Sequence, residues 1–480
     1  MKIILIILVL NTFLLAQPTV ISEKIIHLNQ PLANVKKIKK INTFEYGAVG
    51  NIIHPNGRRD MFFAKFNKDS LIFSQSYNYP ESMEANDFAL TGDGGFILVG
   101  DDNYDIVFQK INSDGDSIWS TKIDGGPSSY NSLNGIVKID NDHFMASGYY
   151  SIDEFGLLNS YLWLVKINSA GIVQWQKKFH NGYSYWPDYG VQIELTIDNN
   201  IIVSGTKAES MFLLKTDFSG NERFFRDYGY ISNDMIVRYS STDQNNSYFF
   251  TGSIPIWNHD LDIFLMKTDD IGDTIFFKNY NGNPISWNPN TSSGEDYGIY
   301  IKNLNNNKII IGGNGENRFT NNNIMIILYL DSDGNIIWKH ILEKQYYSRL
   351  MLIEESNEHK LLYLGKRDVL PNNIFIITTD FELTNITNEE KQPIANVLYQ
   401  NYPNPFNPTT TIKYNLPQSS VVLIQIFNSL GEKIKTLYSG LQTSGSHKIV
   451  FDGSSLPSGI YFYQITTKDF SQTKKCLLLK

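Results

Sequence analysis

Gly95-Phe96-Ile97-Leu98-Val99-Gly100, then Asp105-Ile106-Val107-Phe108-Gln109-Lys110, then Gly115 and Trp119, is the stretch from which the architecture is read. Both apolar runs are short, rich in β-branched and aromatic residues and bounded by Gly and Asp, as in buried β-strands. The same unit returns along the chain. Phe144 to Gly148 is followed by Leu162-Trp163-Leu164-Val165-Lys166, Gly171 and Trp175. Ile201 to Gly205 leads to Lys215, Gly220 and Phe224; Tyr248 to Gly252 leads to Lys267, Gly272 and Phe276. Lys308 to Gly312 leads to Tyr329 in place of Lys, then Gly334 and Trp338. In these five copies the turn glycine precedes the aromatic by four residues each time. Weaker copies lie at Gly50 with Lys65 and Phe73, and at Gly365 with Phe375 to Thr379.

The strand-ending glycines at 50, 100, 148, 205, 252, 312 and 365 are spaced 47 to 60 residues apart. A period of about 50 residues with several strands per unit is that of propeller blades; a β-solenoid has shorter rungs. No part of the repeat region sustains a 3.6-residue apolar period. Seven four-stranded sheets closing as a ring remove the long open edges of a linear array. The expectation is an all-β chain: a seven-bladed β-propeller over residues 17–383, followed by a small immunoglobulin-like β-sandwich. The seventh unit has an apolar strand at Ile374 to Thr379 but no outer strand after it, since Thr384 to Glu390 is polar. Val20 to Leu28 precedes the first unit and carries β-type residues. It is therefore expected to complete the seventh blade and clasp the ring. The Gly-x-x-x-Trp/Phe feature resembles the tryptophan-docking motif of quinoprotein-type propellers. That resemblance implies that Trp119, Trp175 and Trp338 pack across blade junctions, not against a ligand.

The chain has 480 residues, too many for one ordinary domain, with 42% hydrophobic, 13% aromatic and 19% charged residues, so it is globular rather than disordered. A net charge of −8 disfavours nucleic acid as a partner, because phosphate neutralisation wants a basic surface. Cys476 is the single cysteine, which excludes an intrachain disulfide and a thiol pair. At the N-terminus Lys2, the apolar run Ile3 to Leu10 and Ala16 before Gln17 read as a secretory signal peptide over residues 1–16.

Composition changes near Asn396. Residues 384–397 read as a linker, and residues 398–480 carry eight Lys against Glu432, Asp452 and Asp469. Short β-patterned segments at Ile412 to Leu416, Val421 to Phe427, Lys433 to Leu437, Lys448 to Phe451 and Ile460 to Thr467 suggest a seven-stranded sandwich. Asn401-Tyr402-Pro403-Asn404-Pro405-Phe406-Asn407-Pro408 with Thr409 to Pro417, then Ile426 to Leu437, then Leu456 to Ile465 and a Lys-rich closing strand occur in that order. Together they resemble the type A C-terminal sorting domain of the type IX (Por) secretion system. The resemblance implies Sec export to the periplasm of a Gram-negative bacterium and passage through the outer-membrane translocon. It also implies removal of the domain by a sortase-like peptidase, and release or attachment to surface lipopolysaccharide. Cys476 reads as a small hydrophobe of the final strand.

Catalytic motifs are missing. The eight histidines (27, 54, 143, 180, 259, 340, 359 and 447) never form His-Glu-x-x-His, and neither a Gly-x-Ser-x-Gly elbow nor a phosphate loop occurs. Asn112-Ser113-Asp114-Gly115-Asp116 and Asp331-Ser332-Asp333-Gly334-Asn335 alternate oxygen side chains as calcium would want. Asp-Gly between apolar strands is first of all a hairpin turn, and that reading is preferred. Lys65, Lys110, Lys166, Lys215 and Lys267 could line the ring and attract anions, or snorkel at strand edges and discourage pairing; the second is preferred. Asp105, Asp262 and the acidic pairs around Asp101 and Asp269 read as solvated turns. No catalytic, cofactor-binding or metal-binding residue is assigned, and no cofactor is expected.

The resulting reading is a secreted or cell-surface, non-enzymatic binding module. Loop aromatics Tyr183, Tyr185, Trp186, Trp257 and Trp287 could stack on a glycan or peptide. The rival is an extracellular polysaccharide hydrolase or lyase using Asp188 and Glu295, and a third is a structural surface-layer component. Fold alone does not decide between them.

Overall fold

The computed structural model describes residues 18–479 except 31, 103, 127–128, 155–156, 185–188, 208–209, 231–235, 257–259, 281–295, 305–306, 318–321, 345–347, 356–359, 368–372, 383–396, 402, 417–419, 443–444 and 469. The expected signal peptide and most of the linker lie outside these residues. The chain divides into two compact units, Met1–Leu383 and Thr384–Lys480. Strands are the regular elements of both.

In chain order β1 (Val20–His27) comes first, and six consecutive four-stranded meanders follow, each running from the ring axis outward. Blade 1 is β2 (Ala33–Lys40), β3 (Glu45–Ile53), β4 (Arg59–Asn67) and β5 (Leu71–Tyr77). Blade 2 is β6 (Glu84–Leu90), β7 (Phe96–Asp101), β8 (Ile106–Ile111) and β9 (Ser117–Ile123). Blade 3, with longer strands, is β10 (Ser129–Lys138), β11 (His143–Glu154), β12 (Leu157–Asn168) and β13 (Val173–Ser184). Blade 4 is β14 (Tyr189–Leu195), β15 (Ile201–Lys207), β16 (Ser210–Thr216) and β17 (Glu222–Tyr230). Blade 5 is β18 (Ile236–Thr242), β19 (Tyr248–Ile256), β20 (Asp260–Thr268) and β21 (Thr274–Tyr280). Blade 6 is β22 (Tyr297–Asn303), β23 (Ile309–Asn317), β24 (Asn322–Leu330) and β25 (Ile336–Lys344). Blade 7 takes β26 (Ser348–Glu355), β27 (Lys360–Arg367) and β28 (Asn373–Glu382), and its outer strand is β1.

The unit is thus a seven-bladed β-propeller closed by its N-terminal strand, as the orphan segment predicts. β1 runs antiparallel to β28 from Val20 opposite Thr379 to His27 opposite Asn373. The Thr19 amide and hydroxyl both donate to the Asp380 carboxylate, the amide at 2.6 Å, and Arg367 pairs with Glu23 at 3.1 Å. Lys24 of the clasp reaches Asp69 in the outer turn of blade 1 at 3.6 Å.

The second and third strands of each blade are sandwiched between neighbouring blades, which is why they read as continuous apolar runs. β7, β8 and β16 are buried at every position. The cores lie at blade junctions: Val49, Met61 and Phe63 of blade 1 pack with Phe88, Phe96 and Leu98 of blade 2. The docking motif behaves as the resemblance implies at Trp119 and Trp175. Each repeated aromatic stands on the outer strand opposite the third-strand Lys, as in Lys110 opposite Trp119 and Lys166 opposite Trp175, and Tyr329 opposite Trp338 keeps the register. In blades 1 to 5 the ring then lies on the turn glycine of the next blade. A Cβ on Gly171 would sit 2.9 Å from the Trp119 ring, and one on Gly220 would sit 2.8 Å from Trp175. These turn glycines have φ between 71° and 92°, a region that L side chains disfavour. An outer-strand side chain ties each such junction by donating to the turn-glycine carbonyl: Tyr77 to Gly115, Thr121 to Gly171, Lys177 to Gly220, Tyr228 to Gly272 and Tyr280 to Gly334.

The strand-ending glycine has a different cause. All seven inner strands carry a β-bulge against the second strand, at 36, 86, 134, 191, 238, 299 and 351. The extra residue pushes the preceding backbone toward its partner. A Cβ on Gly50, Gly100, Gly148, Gly252 or Gly365 would collide with an inner-strand carbonyl. In blade 6 the residue opposite Gly298, before the bulge, is Gly313, so Gly313 and not Gly312 is the repeat glycine.

The second unit is a two-sheet sandwich of seven strands: β29 (Val397–Leu398), β30 (Thr409–Leu416), β31 (Ser420–Phe427), β32 (Lys433–Gln442), β33 (Gly445–Asp452), β34 (Gly459–Thr466) and β35 (Ser471–Leu478). The sheet orders are β29-β30-β33 and β32-β31-β34-β35. Phe406, Ile412, Tyr414, Ile424, Phe451, Tyr463 and Cys476 share its core, and burial pushes the Cys476 thiol up to about 12, as suits a packing residue.

Candidate functional site

Two places could carry function: the ring axis and the face of the ring with the more varied connections. The bulges set up the axis. The residue after each bulge is Lys37, Asp87, Gly135, Gln192, Tyr239, Tyr300 or Leu352, and two residues further stand Lys39, Ala89, Val137, Glu194, Ser241, Lys302 and Glu354. Polar members of these tiers bond across the ring. Lys37 of blade 1 donates to the Gln192 side chain of blade 4 at 2.9 Å and lies 5.5 Å from the Tyr239 ring centre of blade 5. Lys39 pairs with Asp87 at 2.7 Å, and Asp87 also accepts the Ile136 amide of blade 3. Glu354 of blade 7 takes Lys40 at 3.1 Å and Lys302 at 2.9 Å. Tyr239 and Tyr300 rings sit 5.1 Å apart, and Asn303 of blade 6 donates to Ser241 of blade 5.

Three carboxylates therefore meet near the axis, none of which the motif search singled out. Asp87 and Glu354 are held by lysines. Glu194 accepts from Ser240 at 3.1 Å and Thr242 at 3.3 Å, and burial raises its carboxyl to about 7, with Lys37 and Lys39 opposing the shift. A carboxyl titrating near neutrality would suit acid–base chemistry. Here each axial carboxylate already has cationic or hydroxyl partners that knit blades together, so the arrangement acts as a polar keystone.

Glu194 makes this keystone testable. Its folded pKa lies above the ordinary 4.5, so between about 4.5 and about 7 the folded chain keeps a proton that the unfolded chain has lost. Stability contributed at this position is greatest at acid pH and falls as pH rises through that window. Glu194→Gln can still accept from both hydroxyls without ionising. It is expected to stabilise the protein at pH 8 on the order of 2 kcal/mol, and to leave it unchanged near pH 4.5. Urea unfolding at both pH values checks this; an equal effect at both would contradict it.

The repeated lysines do not line the axis, and they are not edge residues. They stand on third strands paired on both sides, so the edge-lysine reading is corrected. Lys65 pairs with Glu45 at 3.0 Å, Lys110 with Asp93 at 2.7 Å and Lys215 with Asp198 at 2.7 Å, while Lys166 donates to the Phe218 carbonyl. Asp101 and Asp262 are buried rather than solvated, and Asp101 accepts from Asn86 of its own blade and from Ser132 of blade 3. Asp105 pairs with Lys122 at 2.8 Å. The Asp-Gly segments are hairpin turns: Asn112 accepts the amides of Asp114 and Asp116, and Asp331 accepts those of Asp333 and Asn335. Among the described residues no cluster of three His, Cys, Asp or Glu could hold a metal ion.

The antiparallel meander places all inner-to-second and third-to-outer turns on one face of the ring. These are uniformly three to five residues long. The strand ends that open on the other face are separated in the chain by two residues in blade 3 and by as many as sixteen between blades 5 and 6. Tyr185, Trp186, Trp257, Trp287, Asp188 and Glu295 lie outside the described residues, as does the side chain of Tyr183; the strand ends that bracket them open on this variable face.

No curated protein matches the chain. Among solved structures, YCF48 bound to D1 peptide is similar at 9% identity and a TM-score of 0.45, over 75% of this chain and 96% of that one. Pyrococcus horikoshii acylaminoacyl peptidase is similar at 9% identity and 0.42, over 81% of this chain, which spans 59% of the peptidase chain. The β-propeller domain of the Trilobed protease from Pyrococcus furiosus is similar at 10% identity and 0.39, over 73% of this chain and 94% of that one. Resemblance at this level says nothing of activity. Residues 400–479 match the family described as the secretion system C-terminal sorting domain, in agreement with the motifs from Asn401 to Lys480. A domain of this kind directs secretion. The chain thus joins a seven-bladed propeller to residues 400–479, which belong to the Por secretion system C-terminal sorting domain family.

Proposed function

We propose that the protein is a non-enzymatic binding module of the cell surface or its surroundings, in which the propeller engages an extracellular glycan or protein. The sorting domain would hand it to the type IX translocon and then to a sortase-like peptidase, after passage through the periplasm. Release or attachment to surface lipopolysaccharide would follow.

One observation carries the binding reading: the contrast between the two ring faces. Turns on one face are near-uniform in length and, among the described residues, held by Asx caps and blade docking, whereas connections on the other differ in length from blade to blade. Variation concentrated in loops on a rigid scaffold is how binding surfaces are built. The axial carboxylates, being paired, favour binding over hydrolysis. The purified propeller, residues 18–382, is tested on a panel of extracellular polysaccharides for retention and for reducing-end release. Retention without release is expected; release of reducing ends would turn the reading to a hydrolase or lyase.

A further inference from the structure

We propose that Tyr104 and Tyr130, at the junction of blades 2 and 3 on the variable face, form a stacking subsite for a neutral oligosaccharide. The proposal rests on the binding-module reading and names a site and a ligand class for it.

Exposure singles the pair out. Among the described residues of the propeller, only Phe44, Tyr104 and Tyr130 are aromatic side chains left largely in solvent, at 67%, 55% and 41%. Phe44 stands in a turn of the uniform face. The other two are neighbours, with ring centres 5.7 Å apart and planes inclined by 33°. The docking aromatics are all at least partly covered, so two adjoining exposed rings are not explained by blade packing. Adjoining exposed aromatic surface on a folded scaffold marks a contact site.

The backbone that carries the rings is also held in place before any ligand arrives. The amides of Tyr104 and Asp105 donate to the Asp102 carboxylate at 2.8 and 2.7 Å, fixing the connection as an Asx turn. Asn131 Nδ2 donates to the Tyr104 carbonyl and to Ser129 Oγ, which in turn donates to the Gly126 carbonyl at 2.8 Å. Tyr130 lies on β10 opposite Ser151 of β11. A Cβ on Gly125 would sit 2.6 Å from the Tyr104 carbonyl oxygen, so glycine suits this position. Binding to such a platform loses little conformational entropy.

The surroundings choose the ligand. Lys122 is met by Asp105 at 2.8 Å, Glu81 at 3.6 Å and Asp102 at 3.8 Å, so carboxylates outnumber cations and a polyanion is repelled. Asp105, next to Tyr104 in the chain, supplies an acceptor, while Lys122 supplies a donor. A pyranose offers an apolar C–H face for the rings and a rim of hydroxyls for such groups.

The test uses the mature protein and hexasaccharides of β-1,4-linked glucose, xylose and mannose, with hexalysine as a cationic probe, in isothermal titration. At least one hexasaccharide is expected to bind, with affinity reduced at least tenfold by Tyr104→Ala with Tyr130→Ala. Tyr104→Phe with Tyr130→Phe is expected to retain it within about threefold, since stacking needs the ring. Unchanged binding in the double alanine variant would overturn the subsite and leave the binding module standing. Binding of hexalysine but of no hexasaccharide would overturn the glycan assignment. A wild type that binds none of the probes overturns the proposal and removes support from the glycan side of the broader reading.

Discussion

Deleting residues 397–480 is expected to leave a folded propeller that no longer reaches the cell surface, with surface display falling at least tenfold. The physical ground is that the two units have separate cores. Leu398, Phe406, Tyr414, Phe451, Tyr463 and Leu478 close the sandwich core among themselves, and β29 begins at Val397. The propeller is closed independently by β1 against β28. Removing the sandwich therefore removes the secretion signal without opening the ring. Fractionation of cells carrying the deletion should find the truncated chain in the periplasm. Undiminished surface display would show that the sorting domain is not what delivers it.

The second large effect concerns the clasp. A chain beginning at Asn29 lacks β1, leaving the full length of β28 as an open edge and uncovering the sites of Ile26 and Leu28, which are 3% and 1% exposed. Two apolar side chains at about 1.5–3 kcal/mol each, with unpaired backbone groups added, give an expected loss of about 4 kcal/mol or more. Such a loss is a large share of a typical domain's stability, so strand-edge aggregation is expected as well. Asp380→Ala, which removes only the partner of Thr19, is expected to cost about 1–2 kcal/mol. Urea midpoints of the three proteins check the order; a truncated chain as stable as the whole would contradict closure by β1.

The parts of the fold that lie between blades were legible because burial on both faces leaves an unmistakable apolar run. Ile97 to Gly100 and Ile106 to Lys110 are of that kind. The inner strands were not legible. Each is interrupted by a bulge, which breaks two-residue alternation, and one side faces a polar axis. Lys37, Asp87 and Glu194 therefore look like an ordinary solvated surface in the sequence. Their partners are distant as well: Lys37 and Gln192 are 155 residues apart. Asp101 was misread for a related reason, because an Asp-Asp at a strand end looks like a turn, while here it is the tie to the next blade. Gly312 and Gly313 both satisfy the repeat pattern in the sequence, and only the pairing register separates them. The Tyr104 and Tyr130 pair gives no sequence signal, since one residue lies in a short connection and the other on the next inner strand.

The division of labour between the two units is the centre of the account, and surface-released peptide mass spectrometry tests it most directly. Wild-type cells are treated briefly with protease, and the released peptides are mapped along the chain. Under the proposed function, peptides from residues 18–382 are expected in abundance on the cells or in the medium, with none from residues 400–479. Abundant peptides from β31 to β35 on the cells or in the medium, or no propeller peptides in either, would contradict it.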